Sequence, residues 1–514
     1  MNKILLVNTS FRENKESHYS SFGPPMGLLA IAASLKAHGY FVELIDPQID
    51  DDHMGMLKAA LAEKPLFVGM STYLGENVKH AREIARAVKH ADAGIPIVLG
   101  GPMASSIPEV FFQEMPVDYV VMGPGEESIV RLAAALSGSG DPRGVPCVSY
   151  QQAEKVVVGE MYSFNGELDD LPVPDLKIWE RGIRKMGRIP IITSRGCCRG
   201  CSFCYNTFTG KKKYFLRSMA NVIAEMEKWS IEFCLNSFEF FDDNFLLDPR
   251  RALAIIEEMA RRKWNVGRLF GHLNEFNHVT PAQLAGVVTW VVMCVESGSP
   301  KIQKLLNKPI DIEKALDLVT RVAEQKMMFL TAFMFGLPGE TDEDIRMSIE
   351  LAARIRKISA ETISMCYIYA PQPKDAIVRG LAESQRIDFS LDAIANVEVV
   401  PVPPDNKLEL RLRPWIIPID RDFYLDLVQV WQHHFGGCDA PGCDLSEIYS
   451  NNIRIRTLFK DIPIPVRPSK RKPTLGLRQN MRMQCGRLLG LLLLTAKRAV
   501  NFIMRSSSSS GAKE

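Results

Sequence analysis

The stretch IITSRGCCRGCSFCYN, residues 191–206, decides more than any other how this chain folds, because it places four cysteines directly after a short apolar run typical of a buried strand. Cys197, Cys201 and Cys204 have the spacing C-x3-C-x2-C. Three thiolates on one glycine-containing loop can converge on a soft metal centre, which favours zinc or an iron–sulfur cluster. Zinc needs a fourth tight ligand, and only the adjacent Cys198 is near, so a cluster with one open iron fits better.

Length, composition and charge exclude several classes of protein. The 514 residues exceed a single core, and 46% hydrophobic with 24% charged residues are typical of globular domains, not of disordered or polytopic membrane proteins. The N-terminus lacks a signal-peptide core, which predicts a cytoplasmic protein with reduced cysteines. Residues 462–512 carry ten Lys or Arg and no acidic residue, which leaves −8 on residues 1–461. Such an acidic body predicts no nucleic-acid partner.

Repeated strand–helix alternation predicts an α/β protein. Residues 1–150 alternate short apolar runs with amphipathic stretches, which indicates a parallel, doubly wound, Rossmann-like sheet. A proline-rich linker is predicted at 151–185, and the alternation resumes over 186–385 as a second parallel unit of barrel type. We expect 386–475 to form a separate, mostly helical accessory region and 476–514 to form a basic apolar helix with a disordered tail.

Proline marks the start of the second sheet. Pro190 can occupy the first position of a strand but not its middle, so we expect the first strand to follow it. The predicted strands of this unit are Ile191–Thr193, Ser237–Phe241, Val291–Val295, Phe329–Phe335 and Ile363–Tyr369.

Small or polar residues follow the predicted strands of the first unit. They are Ser71, Thr72, Gly100, Gly101, Gly123, Gly125 and Glu126. Ligands of doubly wound sheets bind outside the carboxyl ends of the strands, where glycine lets a large cofactor approach the backbone. Glycine after a strand is also typical of ordinary turns, so both interpretations stay open.

These motifs together resemble the radical S-adenosylmethionine (SAM) enzymes, whose triple cysteine carries an aromatic residue, here Phe203, just before its last member. Three further stretches resemble the ends of the second, fourth and fifth barrel strands of that family: Phe240–Phe245, Val295–Ser299 and Phe335–Thr341. Residues 1–130 resemble the N-terminal cobalamin-binding domain of the B12-dependent subclass. The resemblance covers about 1–375 and implies a Rossmann-like cobalamin-binding domain followed by a partial (β/α)6 barrel.

The resemblance also implies cofactors and residues that hold them. Cys197, Cys201 and Cys204 would hold three irons of a [4Fe–4S] cluster, whose fourth iron chelates SAM. The implied SAM contacts are Phe203, Asp242, Asp243, Glu296, Ser297, Gly336, Pro338 and Gly339, with the two aspartates near the ammonium group. The residues after the strands of the first unit, from Ser71 to Glu126, would hold cobalamin. Each polar position also fits a strand-end turn or a helix cap, and no catalytic side chain is assigned.

Two departures from the family pattern affect these implications. Asp51–Met56 lacks the final glycine of the motif through which a histidine ligates cobalt, so we interpret His53 as a surface residue and expect cobalamin to bind without a histidine ligand. Pro371–Asp375 replaces the Pro-Gly-Thr of many relatives beside the substrate mouth. The substrates of those relatives therefore do not carry over.

The predicted function is a cobalamin-dependent radical SAM methyltransferase acting on an unactivated carbon, or a phosphorus centre, of a small-molecule or lipid-like substrate. An electron donor such as flavodoxin or ferredoxin is expected as a partner. One alternative is a radical SAM cyclase or oxidoreductase that resembles the anaerobic magnesium-protoporphyrin ester cyclase. Another is a cobalamin-binding regulator without catalysis.

Two C-terminal features suggest further hypotheses. Cys438 and Cys443, preceded by His433 and His434, invite a second metal site, although four ligands are not evident. The apolar run 488–494 is too short to span a bilayer, but with its flanking arginines it has the composition of an interfacial helix. Peripheral contact with anionic lipid and packing on the acidic body are both consistent with that composition.

Overall fold

The computed structural model describes residues 2–10, 22–161, 166–207, 214–381, 387–397, 413–416, 420–436 and 445–464. Within them lie two large, mainly parallel sheets joined by a connector that ends in helix α7, Glu180–Met186. No helix among the described residues is long and apolar enough to cross a membrane. Cys438, Cys443 and the predicted tail 476–514 lie outside these residues.

The N-terminal sheet has seven strands in the order β2-β1-β3-β4-β5-β6-β7, parallel from β2 to β5 and antiparallel at the β6–β7 edge. Its strands are β1 (Lys3–Val7), β2 (Phe41–Ile45), β3 (Val68–Ser71), β4 (Ile97–Gly100), β5 (Tyr119–Val121), β6 (Val148–Gln152) and β7 (Lys155–Val157). Its helices are α1 (Met26–Ala37), α2 (His53–Ala62), α3 (Glu76–Ala91), α4 (Gly101–Ser106), α5 (Pro108–Glu114) and α6 (Glu126–Ala134).

Alternation along the strands gives this sheet a hydrophobic core on each face. Leu5 of β1 packs with residues of α2, α3 and α5, whereas the next residue, Leu6, packs with residues of α1 and α6. Successive side chains of a strand point to opposite faces, so a fully apolar strand is buried on both sides. This explains why β1 is buried along its whole length.

The second sheet has six parallel strands in the order β15-β14-β13-β12-β11-β8. They are β8 (Ile189–Ile191), β11 (Ser237–Phe240), β12 (Asn265–Phe270), β13 (Val288–Val292), β14 (Met328–Phe335) and β15 (Ile363–Ile368), and β9 (Ser194–Arg195) pairs separately with β10 (Phe215–Leu216). The helices between them are α8 (Met219–Phe233), α9 (Pro249–Arg261), α10 (Pro281–Leu284), α11 (Pro300–Leu305), α12 (Ile312–Glu324) and α13 (Asp342–Ile358). The predicted α/β architecture, a Rossmann-like unit followed by a partial barrel, is confirmed.

Two details of the strand predictions are wrong. Pro190 lies in the middle of β8, because β8 is an edge strand that pairs only with β11 and therefore does not need the missing N–H. β12 was not predicted, since its Gly267 and Arg268 interrupt the apolar pattern. The Arg268 guanidinium reaches the buried Glu239 carboxylate of β11, so an ion pair replaces the apolar contact expected there.

The described part of the C-terminal region packs on both units. Its helices are α14 (Ala376–Arg379), α15 (Leu391–Ala395), α16 (Arg421–Phe435), α17 (Leu445–Asn451) and α18 (Ile453–Phe459). Leu391 and Ile394 of α15 join the core of the N-terminal unit, and the Gly75 N–H donates to the carbonyl of Ile394 at 3.0 Å. Trp431 of α16 joins the barrel core. The region is mostly helical as predicted, but it forms no separate core within the described residues.

Candidate functional site

A cavity of about 470 Å³ lies between the carboxyl-terminal edges of the two sheets. The N-terminal unit lines it with the ends of β3, β4 and β5 and the start of α6, while the second unit contributes the segment from Ser194 to Cys197 and the side chains of Phe241 and Asp243. Both parallel sheets therefore present their ligand-binding edges to one space.

Six of the seven residues predicted to hold cobalamin line this cavity. They are Ser71, Gly100, Gly101, Gly123, Gly125 and Glu126. The seventh, Thr72, is buried and is not among the lining residues. Its hydroxyl donates to the carbonyl of Gly100 at 3.2 Å and accepts from the Ala104 N–H at 3.2 Å, so Thr72 fixes the neighbouring loops in place.

Gly101 is required by local packing. Its φ is +89°, a conformation that only glycine adopts readily. A Cβ at this position would lie 2.6 Å from the Ser71 Oγ and 2.7 Å from the Thr72 carbonyl oxygen. Ordinary turn geometry therefore explains why residue 101 is glycine. The absence of a side chain also leaves space on the cavity side of this loop.

The cysteine loop follows the short strand β9 and turns at two glycines, Gly196 and Gly200, with φ of +82° and +71°. Cys197 lines the cavity, Cys201 and Cys204 are half-buried, and Cys198 is exposed. Burial of the Cys204 thiol, together with repulsion from the Cys201 and Cys197 sulfurs, raises its pKa to about 11. Each of the three sulfurs is therefore within electrostatic range of at least one of the others.

The donor set fits an iron–sulfur cluster. Within the described residues, no three or more His, Cys, Asp or Glu side chains are already gathered around one metal position. The fit therefore rests on the chemistry of the donors, three free cysteines of one loop, because thiolates are the usual ligands of iron–sulfur clusters.

Phe203, between the last two cysteines, anchors the loop to the barrel. It packs against the cluster of buried side chains that contains Ile302, Leu306 and Tyr369. The N–H of Ser202 donates to the carbonyl of Leu306 at 2.9 Å. Phe203 thus faces the protein interior, consistent with a role in fixing the loop.

The two adjacent aspartates have different surroundings. Asp242 is buried and accepts hydrogen bonds from the Thr193 N–H and from the hydroxyls of Thr193 and Ser194, and burial raises its pKa despite these donors. Asp243 lines the cavity, where its Oδ2 accepts from the Gly196 N–H at 2.9 Å. The structure therefore brings only Asp243 to the cavity wall.

The other predicted SAM contacts are not among the cavity-lining residues. Glu296 has a φ of +67° and forms a buried ion pair of 2.8 Å with Lys308. Burial opposes the charge on Lys308, but the Glu296 carboxylate outweighs that effect and leaves the pKa of Lys308 raised. Burial raises the pKa of the Cys201 thiol, while the Lys308 charge lowers it and the Glu296 charge raises it.

Ser297 and the loop after β14 belong to the same side of the barrel. Ser297 is fully buried, and its Oγ accepts from the Ser299 N–H at 3.1 Å. Gly336 has a φ of +73°, and its N–H donates to Glu340 at 2.7 Å. Pro338 is half-buried, while Gly339 is exposed with a φ of +74°.

Several residues that line the cavity are not among those predicted from the sequence. They are Tyr73, Arg195, Tyr205, Asn206, Phe215 and Phe241. The Tyr205 hydroxyl donates to the Asp243 Oδ1 at 2.7 Å, and Arg195 pairs with Glu126 of the other unit at 2.5 Å. Three of them, Tyr73, Tyr205 and Phe241, directly adjoin a predicted position, so proximity to the strand ends was the signal available.

His53 begins helix α2 and is not among the residues that line the cavity. Its helix is capped by Asp52, whose side chain accepts from the Gly55 N–H at 3.1 Å. Asp52, which lies between the aspartate and the histidine of the incomplete cobalt-ligand motif, thus caps a helix here. A cobalamin site without a histidine ligand stays a prediction.

Comparison with known families agrees with this two-part organisation. The B12 binding domain family matches residues 17–133, and the Radical SAM superfamily matches residues 191–352. Each range covers the middle strands of one of the two sheets that enclose the cavity.

Two relatives and one solved structure extend the comparison. An uncharacterized methyltransferase of Pyrococcus horikoshii is 29% identical over 363 residues, 69% of this chain and 78% of that protein. The cytidylyl-2-hydroxyethylphosphonate methyltransferase of Streptomyces wedmorensis is 23% identical over 416 residues, 68% of this chain and 77% of that protein. The radical SAM methyltransferase TsrM of Kitasatospora setae, solved with cobalamin and a [4Fe-4S] cluster bound, shares the fold with a TM-score of 0.62 and 19% identity over 89% of this chain and 99% of its own.

Proposed function

Since the chain belongs to the cobalamin-binding radical SAM enzymes, we propose that it methylates an unactivated carbon or phosphorus centre of a small-molecule substrate. The predicted cofactors, a [4Fe–4S] cluster, SAM and cobalamin, are confirmed by the two family matches. The observation that carries the proposal is the single cavity lined both by the glycine loops of the first sheet and by Cys197. A methyl donor and a hydrogen-abstracting centre then face the same substrate.

When bound, the cluster with SAM supplies hydrogen abstraction, and methylcobalamin supplies the methyl group. In this proposal Cys197, Cys201 and Cys204 hold the cluster. Cobalamin binds against the loops that follow the strands of the first sheet, through their backbone and the Glu126 side chain. The other residues of these loops are Ser71, Gly100, Gly101, Gly123 and Gly125. Glu296, Ser297 and the loop containing Gly336, Pro338 and Gly339 hold SAM on the barrel side. Asp242 and Phe203 fix the strand end and the cysteine loop beside it. The apolar remainder of the lining excludes water from reactive species.

The relatives support methyl transfer over the alternatives. Both curated relatives are named as methyltransferases, and the phosphonate enzyme is the reason that a phosphonate-containing substrate belongs in the first screen. The expectation of a lipid-like substrate depends on the C-terminal tail, which lies outside the described residues. Lipid-like compounds therefore belong in a second screen.

The test is anaerobic reconstitution with iron, sulfide, cobalamin, SAM and a low-potential reductant such as reduced flavodoxin, followed by mass spectrometry. Methyl transfer predicts 5′-deoxyadenosine, S-adenosylhomocysteine and a product heavier by one methylene unit. A cyclase or oxidoreductase would yield 5′-deoxyadenosine without S-adenosylhomocysteine. A regulator would yield neither, and the Cys201→Ala variant provides the background for all three readouts.

A further inference from the structure

One carboxylate contacts both ends of the cysteine loop. The Asp243 Oδ2 accepts from the N–H of Gly196, the residue before Cys197, at 2.9 Å. Its Oδ1 accepts from the hydroxyl of Tyr205, the residue after Cys204, at 2.7 Å. The two oxygens of a single side chain therefore close the loop that carries the three predicted ligands.

We propose that Asp243 is a positioning residue that latches the cysteine loop shut around the cluster. This inference rests on the proposed function and assigns Asp243 a role different from contact with the SAM ammonium group. Both of its oxygens already have donors within the protein, and both donors flank the predicted ligands. A carboxylate that binds N–H and O–H donors makes stronger hydrogen bonds than a neutral acceptor does, so the closed loop is favoured.

The middle of the loop is fixed from another direction, while Asp243 bonds its two ends. The middle is held by the Leu306–Asn307 segment, whose backbone carbonyl and side-chain amide bond Ser202 and Gly200 at 2.9 and 2.8 Å. Gly196 has a φ of +82°, so its own backbone does not restrict it to the closed conformation. An external acceptor at this glycine therefore sets the direction in which Cys197 leaves the strand.

The neighbouring Asp242 explains why the latch is rigid. Its carboxylate bonds the backbone and hydroxyl of Thr193 and the hydroxyl of Ser194, which fixes the end of β11 against the segment that leads into the loop. Asp243 follows directly and projects into the cavity. One aspartate thus holds the strand and the next holds the loop.

The first test measures iron release from the reconstituted holoenzyme by an anaerobic chelator, without substrate. We expect release to be about tenfold faster in Asp243→Ala, a factor that corresponds to 1.4 kcal/mol, and intermediate in Tyr205→Phe. Asp243→Asn, whose amide oxygen still accepts from Gly196, should partly restore retention and shift the electron paramagnetic resonance signal of the reduced cluster. Tyr150→Phe is the matched control, because that tyrosine lies on β6 and is not among the residues that line the cavity.

The second test needs no cluster and so separates the latch from the proposed function. In the apo chain, tryptic cleavage after Arg199 should accelerate in Asp243→Ala and Tyr205→Phe but not in Tyr150→Phe. Unchanged iron release and unchanged cleavage in both loop variants would overturn the latch. A loss of SAM affinity in Asp243→Asn with wild-type iron retention would also overturn it in favour of a direct SAM contact. A latch that passes both tests in a protein that yields no methylated product would leave only the proposed function refuted.

Discussion

Glu126 and Arg195 form an ion pair of 2.5 Å across the boundary between the two sheets. Glu126 is the first residue of α6 in the N-terminal unit, and Arg195 directly precedes the glycine that opens the cysteine loop. Both side chains line the cavity. The two halves of the proposed active site are thus joined by a charge pair at the point where they share a wall.

Removing this pair should weaken cobalamin binding. Glu126→Gln and Arg195→Met each remove one charge, and a pair that is partly shielded from water contributes about 1 kcal/mol, or roughly fivefold in affinity. The measurement is cobalamin titration followed by absorbance, with the double variant completing the cycle. Glu127→Gln with Arg131→Met, an exposed pair on the same helix, is the control. Equal effects of the two pairs would contradict a role for the boundary.

Cys197, Cys201 and Cys204 should each be needed for iron binding, whereas Cys198 should not. Cys197→Ala, Cys201→Ala and Cys204→Ala are each expected to abolish 5′-deoxyadenosine formation and to lower bound iron sharply, since each removes a ligand. Cys198→Ala should retain its iron, because this side chain is exposed and adjacent thiols point apart on an extended backbone. Iron assay and electron paramagnetic resonance decide, and a Cys198 variant as poor in iron as the others would refute the assignment.

Gly101→Ala should destabilise the N-terminal unit more than an ordinary left-handed glycine does. The new Cβ would meet the Ser71 Oγ and the Thr72 backbone within 2.8 Å, in addition to the strain of positive φ, for a total of about 1–3 kcal/mol. Gly39→Ala carries the φ strain alone, since nothing lies within 4 Å of its Cβ, and should cost about 1 kcal/mol. Urea unfolding compares the two, and equal losses would show that the close contacts relax.

Helix α15 should stabilise the N-terminal unit from a distant part of the chain. Ile394 is fully buried in the core of that unit, so Ile394→Ala is expected to cost about 2–5 kcal/mol. Thermal unfolding monitored by cobalamin release is the measurement. Asp392→Asn, on the exposed side of the same helix, should leave the midpoint nearly unchanged, and a similar fall in both variants would exclude specific packing.

Glu340 should make stability fall as the pH rises. Burial raises the pKa of its carboxyl group from 4.5 to about 8, so the folded chain holds a proton that the unfolded chain releases above pH 4.5. The free energy of unfolding from this group should therefore decrease between pH 4.5 and about 8 and then level off. Glu340→Gln keeps an acceptor for the Gly336 N–H but removes the titration. Urea unfolding at pH 5 and pH 8 should show a smaller difference in this variant than in the wild type.

The sequence by itself determined the two α/β units, the cysteine loop and most of the residues at the strand ends. These features are local: alternation along β1 and the spacing of Cys197, Cys201 and Cys204 depend on a few consecutive residues and do not require knowledge of the rest of the fold. Pro190 is the exception that shows the limit, since whether a strand tolerates proline depends on its place at the edge of the sheet.

Only the tertiary structure decided which side chains meet. Glu126 and Arg195 are on different sheets, and α15 reaches the N-terminal core from beyond the barrel. Asp242 and Asp243 are indistinguishable by type and adjacent in sequence, yet one is buried against Thr193 and the other bonds both ends of the cysteine loop. Successive residues at the end of a strand face opposite sides, and what each side contains is set by the packing of distant segments.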